Sequence, residues 1–580
     1  MPELFKTRIR LSTTSDWTTL TLPNNVDWLN ASVVWVIGEP TDAQATGEAV
    51  SLNQSFDDAV GGHLVEIMVE YDVRFPESDP SIHLQAPVIP NLNVQIERGD
   101  IGSMTLELER LVDDVSYGIE YVSWASVIGD GRNPRVVDVD LDMFVDPVGQ
   151  QYAGQVIDRS TLAKKFMFGY QGWYLCPGDG SRTTSQGYQW DHWFTGLAAP
   201  SNVNVDFWPD VRELTASELC DTGLKRADGS AVHVYSNFNR RTVHRHFKWM
   251  ADYGIDGVFQ QRFITDISEP NHSADRTEVA RHVMTGAERY GRTFAMMYDI
   301  AGQGGPGLAD TLISDWKYLV DEVGLTDSHA YLHHRGKPIL SIWGPGFNHV
   351  PATPEDIIPI LQFFQLAPAR YQATLMLGAP TDWRDLGVEP NEREGLGDRE
   401  TDTLPDPLWE DIFRSFDVIS PWSVGRYGDQ DRAFEFAVNE ILPDTTATQA
   451  HGIDYVPVVW PGFSWHNLKS DEKHYDINAT PRDWGTFFWS QTANAINSGV
   501  TMLYGAMFDE IDEGTAIFKL AETADDVPFT GLAAGPAIGL DVDGYDLPSD
   551  WYLQLAGMAS EMLRGEREVT DIPPIIAPLN

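Results

Sequence analysis

VHRHFKWMADYGIDGVFQQRF, residues 243–263, holds the pattern that decides the fold. Val243, Phe247, Met250 and Ala251 recur at helical spacing and form one apolar face, which stops at Gly254, a residue suited to the left-handed conformation of a helix C-cap. After Ile255 and Asp256, the run GVFQQRF (257–263) reads as a short buried strand. The unit repeats at once: Val279, Val283, Met284 and Ala287 form a second face ending at Gly291, and TFAMMYDI (293–300) is the next strand.

Working outward, six more apolar runs alternate with helical stretches: KFMFGY (165–170), PILSIWG (338–344), ATLMLGAP (373–380), DVISPWSVG (417–425), YVPVVWPGF (455–463) and TMLYGAMFDE (501–510). Thr353-Pro354 marks a helix start, an N-cap followed by proline at the first helical position, and a final helix is expected near 549–564, capped by Ser549. Strands joined by crossover helices are parallel, and eight such units predict an α/β fold, a (β/α)8 TIM barrel, over residues 156–580. GQGGPG (302–307) lacks the GxGxxG spacing of a dinucleotide loop. Residues 1–155 read differently. HLVEIMVEYDV (63–73), SMTLELERLV (103–112) and RVVDVDLDMF (135–144) alternate with period two and predict an all-β, sandwich-like accessory domain.

With 40 basic and 86 acidic residues the chain carries a formal charge of −46, which repels phosphate backbones and anionic lipid headgroups; neither nucleic acid nor membrane is an expected partner. Such a carboxylate shell would also suit high salt, which screens its self-repulsion. Cys176 and Cys220 are too few for a disulfide scaffold and are expected as free thiols. The N-terminal segment has no signal-like apolar core and no run reaches membrane-spanning length, so the expectation is a cytoplasmic protein, or a secreted one whose signal has been removed.

A barrel of this kind places its chemistry at the C-terminal ends of the strands. That rule selects Trp173, Tyr174, Arg262, Tyr298, Asp299, Trp343, Trp383, Trp422, Trp460, Trp465, His466 and the acidic stretch DEIDE (509–513). Aromatic rings stack on the C–H faces of sugars, and 19 tryptophans supply them generously, although such rings also fill barrel cores. Glycoside hydrolysis needs two carboxyl groups, one to protonate the leaving oxygen and one to act as base or nucleophile; Glu510 and Glu513 supply a pair. In a chain this acidic their spacing alone selects nothing, whereas their position at the end of the eighth run does. DVDGYD (541–546) resembles a calcium loop but lacks its closing glutamate, so a turn held by aspartates is expected there, with structural calcium as the alternative. His244, His246, His333 and His334 lack a third ligand at metal spacing, and neither zinc nor any other cofactor is expected.

FDEIDEGT (508–515) resembles the eighth-strand segment Phe-Asn-Glu-Trp-His-Glu-Gly-Thr of glycoside hydrolase family 99, with Asp509, Ile511 and Asp512 in place of that family's Asn, Trp and His. GYQGWY (169–174), DHW (191–193) and HFKWMADYGIDGVFQQRF (246–263) are similar to the wider family 71/99 group, so the resemblance spans roughly residues 165–520. It implies a retaining endo-α-glycosidase in which Glu510 takes the proton of the sugar 2-hydroxyl, a 1,2-anhydro sugar forms, and Glu513 serves as general acid and then base. It also adds His192 and Trp193 to the candidate substrate-binding residues. Burial of Glu513 would hold its proton in place. An α-1,3-glucanase, a hydrolase of xylose- or arabinose-containing glycans, and a carbohydrate-binding protein without catalysis are the alternatives.

Overall fold

The computed structural model describes ten strands between residues 5 and 139 and, beyond them, residues 156–185, 190–385, 403, 406–468, 476–529 and 537–575. The chain divides into two compact units, Met1–Ala153 and Gly154–Asn580. In the first, strands pair antiparallel into two five-stranded sheets, one ordered Ser32–Val36, Val65–Val73, Phe5–Thr13, Ser103–Val112, Val115–Ala125 and the other Arg135–Val139, Leu92–Arg98, Trp17–Thr21, Ala49–Asn53, Asp42–Thr46.

The second unit is the barrel. Its strands are β1 (Phe166–Tyr170), β2 (Gly257–Phe263), β3 (Thr293–Asp299), β4 (Lys337–Trp343), β5 (Thr374–Ala379), β6 (Val418–Pro421), β7 (Asp454–Tyr455 and Val458–Val459) and β8 (Leu503–Gly505). Neighbours pair in parallel from β1 through β7, and β8 pairs with β1 on one side and with the second piece of β7 on the other, which closes the ring. β7 is divided because Pro457 has no N–H to give the ladder. Val456 N still donates to Ile419 O of β6 (2.9 Å), and Tyr504 N of β8 donates to Pro457 O (3.1 Å).

Each strand leads to a helix: α1 (Arg240–Asp252), α2 (Pro270–Tyr290), α3 (Gly307–Tyr318), α4 (Pro354–Leu366), α5 (Leu408–Phe413), α6 (Gln430–His451, with a π-helical turn at Ala437–Ile441), α7 (Thr486–Asn497) and α8 (Trp551–Arg564). The signals act as read. Asn239 caps α1 by accepting from Arg241 N, and after Gly254 (φ +77°) the chain returns with Ile255 N bonded to Met250 O. Thr353 N donates to Asp356 Oδ2 in the capping box of α4. α8 differs from expectation: Asp550, not Ser549, precedes it, and Ser549 N is bonded to Glu522 instead. Gly257 is fixed by crowding, since a Cβ there would lie 2.0 Å from Thr293 O on β3.

Strands covered on both faces read as continuous apolar runs because both side-chain sets are buried, and β1, β3 and β5 are buried at every position. Cys176 and Cys220 form a disulfide, which corrects the expectation of free thiols; they lie 44 positions apart, and the fold brings the segment after β1 beside the hairpin Leu219–Lys225/Ala231–Tyr235. Among the described residues no helix is long and apolar enough to cross a membrane.

Candidate active site

The strand-end segment after β8 is built onto the end of β1. Phe508 N donates to Gly169 O (2.7 Å), extending the pairing and bringing Asp509 against the next turn, where it accepts Gln171 N (2.7 Å) and Gly172 N (2.9 Å). Gly172 takes φ +63°, the left-handed value that aims its amide at Asp509. Gln171 Nε2 donates to Glu510 Oε1 (2.8 Å), and Thr515 Oγ1 lies 3.3 Å from Glu510 Oε2. Tyr174 holds the far side: its hydroxyl donates to Asp512 Oδ1 (2.7 Å) and accepts the amides of Ile511 (2.9 Å) and Asp512 (3.1 Å). His192 Nδ1 sits 2.9 Å from Asp512 Oδ2. Glu513 is half-buried, and its carbonyl accepts Ser464 N (2.9 Å).

Burial and like charge act together on this segment. Glu510 is 5% exposed; desolvation, then the charges of Glu513 and Asp512, push its carboxyl well above the usual glutamate range, with the Gln171 hydrogen bond opposing them. Asp509 is pushed up to about 7 because burial outweighs its two backbone hydrogen bonds, and Asp512 adds to the rise. The deeper member of the pair is thus Glu510, whereas the sequence reading looked to burial of Glu513.

Around this segment the Trp173 ring stacks on His192 (3.8 Å, 7° between planes) and packs against Phe263. Arg276, on α2, reaches Trp173 O (3.3 Å), Asp191 (3.0 Å) and Asp266 (2.8 Å), tying the segment after β1 to the end of β2. Across the barrel, Trp422 packs edge-on against both Trp343 and Tyr504. Tyr504's hydroxyl meets Met297 Sδ of β3 (3.7 Å) and Met507 Sδ after β8 (3.4 Å), so β3 and the carboxyl segment approach each other across Tyr504 inside the barrel. Asp299, two residues beyond Met297 at the end of β3, is 6% exposed and raised to about 7 by burial, with Ala301 N donating to its Oδ1.

The structure thus gathers Glu510, Glu513, Trp173, His192, Asp299, Trp343 and Trp422 at the mouth, with Tyr174 buried beneath as a brace. It does not bring the other candidates there. Arg262 and Tyr298 point into the helix layer, where both bind Asp315 of α3. Trp193 is fully buried and donates to Tyr235 O, Trp460 is packed between Tyr427 and Phe487, and Trp383 is buried where Arg384 meets α6. Trp465 is half-buried against Phe463, and His466 is exposed, its amide bonded to Asp206. Gln171, Gln261 and Arg276 are functional candidates the sequence reading passed over. Gln171 stood within the quoted GYQGWY, and a polar Gln261 inside a buried strand was the available signal for the second.

His246 is buried and bonded to the Tyr170 hydroxyl, and His334 bridges Leu162 N and Asp454. In DVDGYD, Asp543 accepts Asn478 Nδ2 and Asp483 N while Asp541 accepts Ala524 N, so these carboxylates tie loops together. Among the described residues no group of three His, Cys, Asp or Glu is arranged to hold a metal ion.

No family model and no curated protein matches the chain. Among solved structures it is similar to the GH99 endo-α-mannosidase of Bacteroides thetaiotaomicron, at 15% identity over 70% of this chain and 98% of that one, with a TM-score of 0.46. A glycoside hydrolase-like protein matches at 13% identity over 71% of this chain and 98% of its own, TM-score 0.40. A family 39 glycoside hydrolase from Bacteroides cellulosilyticus WH2 matches at 9% over 96% and 78%, TM-score 0.34. These are likenesses between distant chains, and the functional argument rests on the side chains.

Proposed function

We propose that this protein is a retaining glycoside hydrolase acting within an α-linked glycan. The observation that carries the reading is the pair Glu510 and Glu513, whose like charges raise Glu510, set beside aromatic rings at the C-terminal mouth of the barrel. Two carboxyl groups that repel each other share a single proton over a wide pH range. The route needs that proton on Glu513 and Glu510 ionised; Gln171 Nε2, which donates to Glu510 Oε1 (2.8 Å), favours the ionised form against the burial that raises Glu510, and the proton affinity left to the ionised carboxylate suits removal of a sugar hydroxyl proton. The 2-hydroxyl gives its proton to Glu510, its oxygen attacks the anomeric carbon, and the glycosidic bond breaks as Glu513 protonates the leaving oxygen. Water then opens the 1,2-anhydro sugar, losing a proton to Glu513 while Glu510 returns one to O2. Two inversions at the anomeric carbon give retention.

Carboxyl groups and water suffice for every step, so the reading requires no cofactor. The Cys176–Cys220 bond supports a working place outside the reducing cytoplasm. The test is digestion of α-mannan, α-1,3-glucan and arabinoxylan by the wild type, Glu510→Gln and Glu513→Gln, with product configuration followed by NMR. Cleavage with retention, lost in both variants, is expected. Cleavage surviving both substitutions would reject the pair, inversion would reject the anhydro route, and inactivity on all three would remove these substrates.

A further inference from the structure

Three strands present a wall of polar groups to the barrel interior that the carboxyl pair does not use. Parallel registry sets Gln261 of β2 level with Met297 of β3 and Ser341 of β4, and Phe263 level with Asp299 and Trp343. Alternation along each strand puts these residues on the face opposite Arg262 and Tyr298, which bind Asp315 in the helix layer. Gln261 Oε1, Ser341 Oγ and Trp343 Nε1 are buried and meet no hydrogen-bond partner, and Asp299 stands beside Trp343 in the register with Ala301 N donating to its Oδ1. A buried polar atom left so costs about 1–3 kcal/mol. Several on one wall, facing the space shared with Glu510, mark a place where a ligand completes the bonding.

The charge around that space restricts the ligand. The acidic side chains nearest the wall are Asp299 at the end of β3 and Asp509 and Glu510 after β8, with Asp512 and Asp191 held around His192 and Asp266 held by Arg276. The basic side chains beside them are Arg276, occupied by Asp191, Asp266 and Trp173 O, and His192, set against Asp512 and Asp191. Neither is left to neutralise an incoming carboxylate. Hydroxyl groups, which donate and accept, match the unpartnered amide oxygen, serine hydroxyl and indole N–H, and the Asp299 carboxyl beside them.

We propose that Gln261, Asp299 and Trp343 form a subsite that holds an uncharged pyranose by its hydroxyls and excludes glycuronates. The proposal rests on the hydrolase reading but is tested apart from it. Calorimetry on the Glu513→Gln protein would compare oligosaccharides of α-mannan, α-1,3-glucan and arabinoxylan, and the first two again after oxidation at C6 to the uronates. A neutral oligosaccharide is expected to bind, with its oxidised form weaker by about tenfold or more. Gln261→Ala and Asp299→Ala added to that protein should weaken neutral binding by about tenfold. Asp299→Asn, which keeps shape and hydrogen bonding, should retain most of it, and thermal unfolding verifies that each variant is folded.

Equal binding of neutral and oxidised forms, variants that bind like the parent, or no binding of any neutral form would overturn the subsite. Selective binding by a wild type that cleaves none of the polymers would remove the hydrolase and leave the subsite. Cleavage that depends on Glu510 and Glu513 without such selectivity would do the reverse.

Discussion

The segment after β8 and the helix face of β2–β3 both carry buried charge, and they treat it in opposite ways. On the helix face, Arg262 meets Asp315 in a two-pronged pair, with Thr277 and Tyr298 completing the hydrogen bonds. After β8, Asp509, Glu510, Asp512 and Glu513 crowd together with amides, a glutamine, a tyrosine and a histidine around them and, among the described residues, no arginine or lysine bonded to Asp509, Glu510 or Asp512. Compensated charge holds layers together; crowded charge raises basicity and stores reactivity. Both regions follow strand ends rich in polar residues, so polarity does not separate them. What separates them is the face each residue takes.

Substitutions can break this contrast. Glu510→Gln and Glu513→Gln should each lower kcat by about a thousandfold or more with little loss of stability, since each relieves repulsion; steady-state kinetics and thermal unfolding together would show it. Arg262→Ala should do the opposite. It leaves Asp315 buried without its partner and should cost about 3–5 kcal/mol in denaturant unfolding, while kcat of the protein that remains folded changes little. If Arg262→Ala instead removed activity without loss of stability, the assignment of faces would be wrong.

Tyr174→Phe sharpens the comparison, because one hydroxyl serves Asp512 and two amides of the carboxyl segment. A stability loss of about 1–3 kcal/mol is expected with a fall in kcat, as the segment loses its brace. The smallest effect concerns pH. Asp299, raised by burial from 3.8 to about 7, keeps its proton in the fold at pH values where the unfolded chain has released it. Its contribution is complete below about pH 4 and is lost as pH rises through 7. The unfolding midpoint should therefore fall between about pH 4 and 7, and Asp299→Asn should make that fall shallower.

The barrel was legible because parallel strands are buried on both faces and helices end in glycine, features that need no knowledge of neighbours. The eight apolar runs all contain a strand, and the helix ends at Gly254 and Gly291 stand where they were read. Phase within a strand was not legible. In Gln260-Gln261-Arg262 and in Tyr298-Asp299, adjacent polar residues take opposite faces, and only pairing with the neighbouring strands decides which of them meets the interior. Strand length was lost for a related reason: the run 501–510 shortens to Leu503–Gly505 because the chain turns onto β1 to seat Asp509. The disulfide joins segments that only the fold makes adjacent.

The divided seventh strand gives the ring a seam. β2 and β3 are bonded along their whole length, whereas β7 offers two residues to each neighbour with Pro457 between them. Local opening begins where cooperative pairing is thinnest, so amide deuterium uptake should appear in 454–459 before it reaches β2 or β3. Unfolding would then proceed as an unzipping from that seam, leaving the wall of β2 to β4 as the last part of the barrel to lose its order.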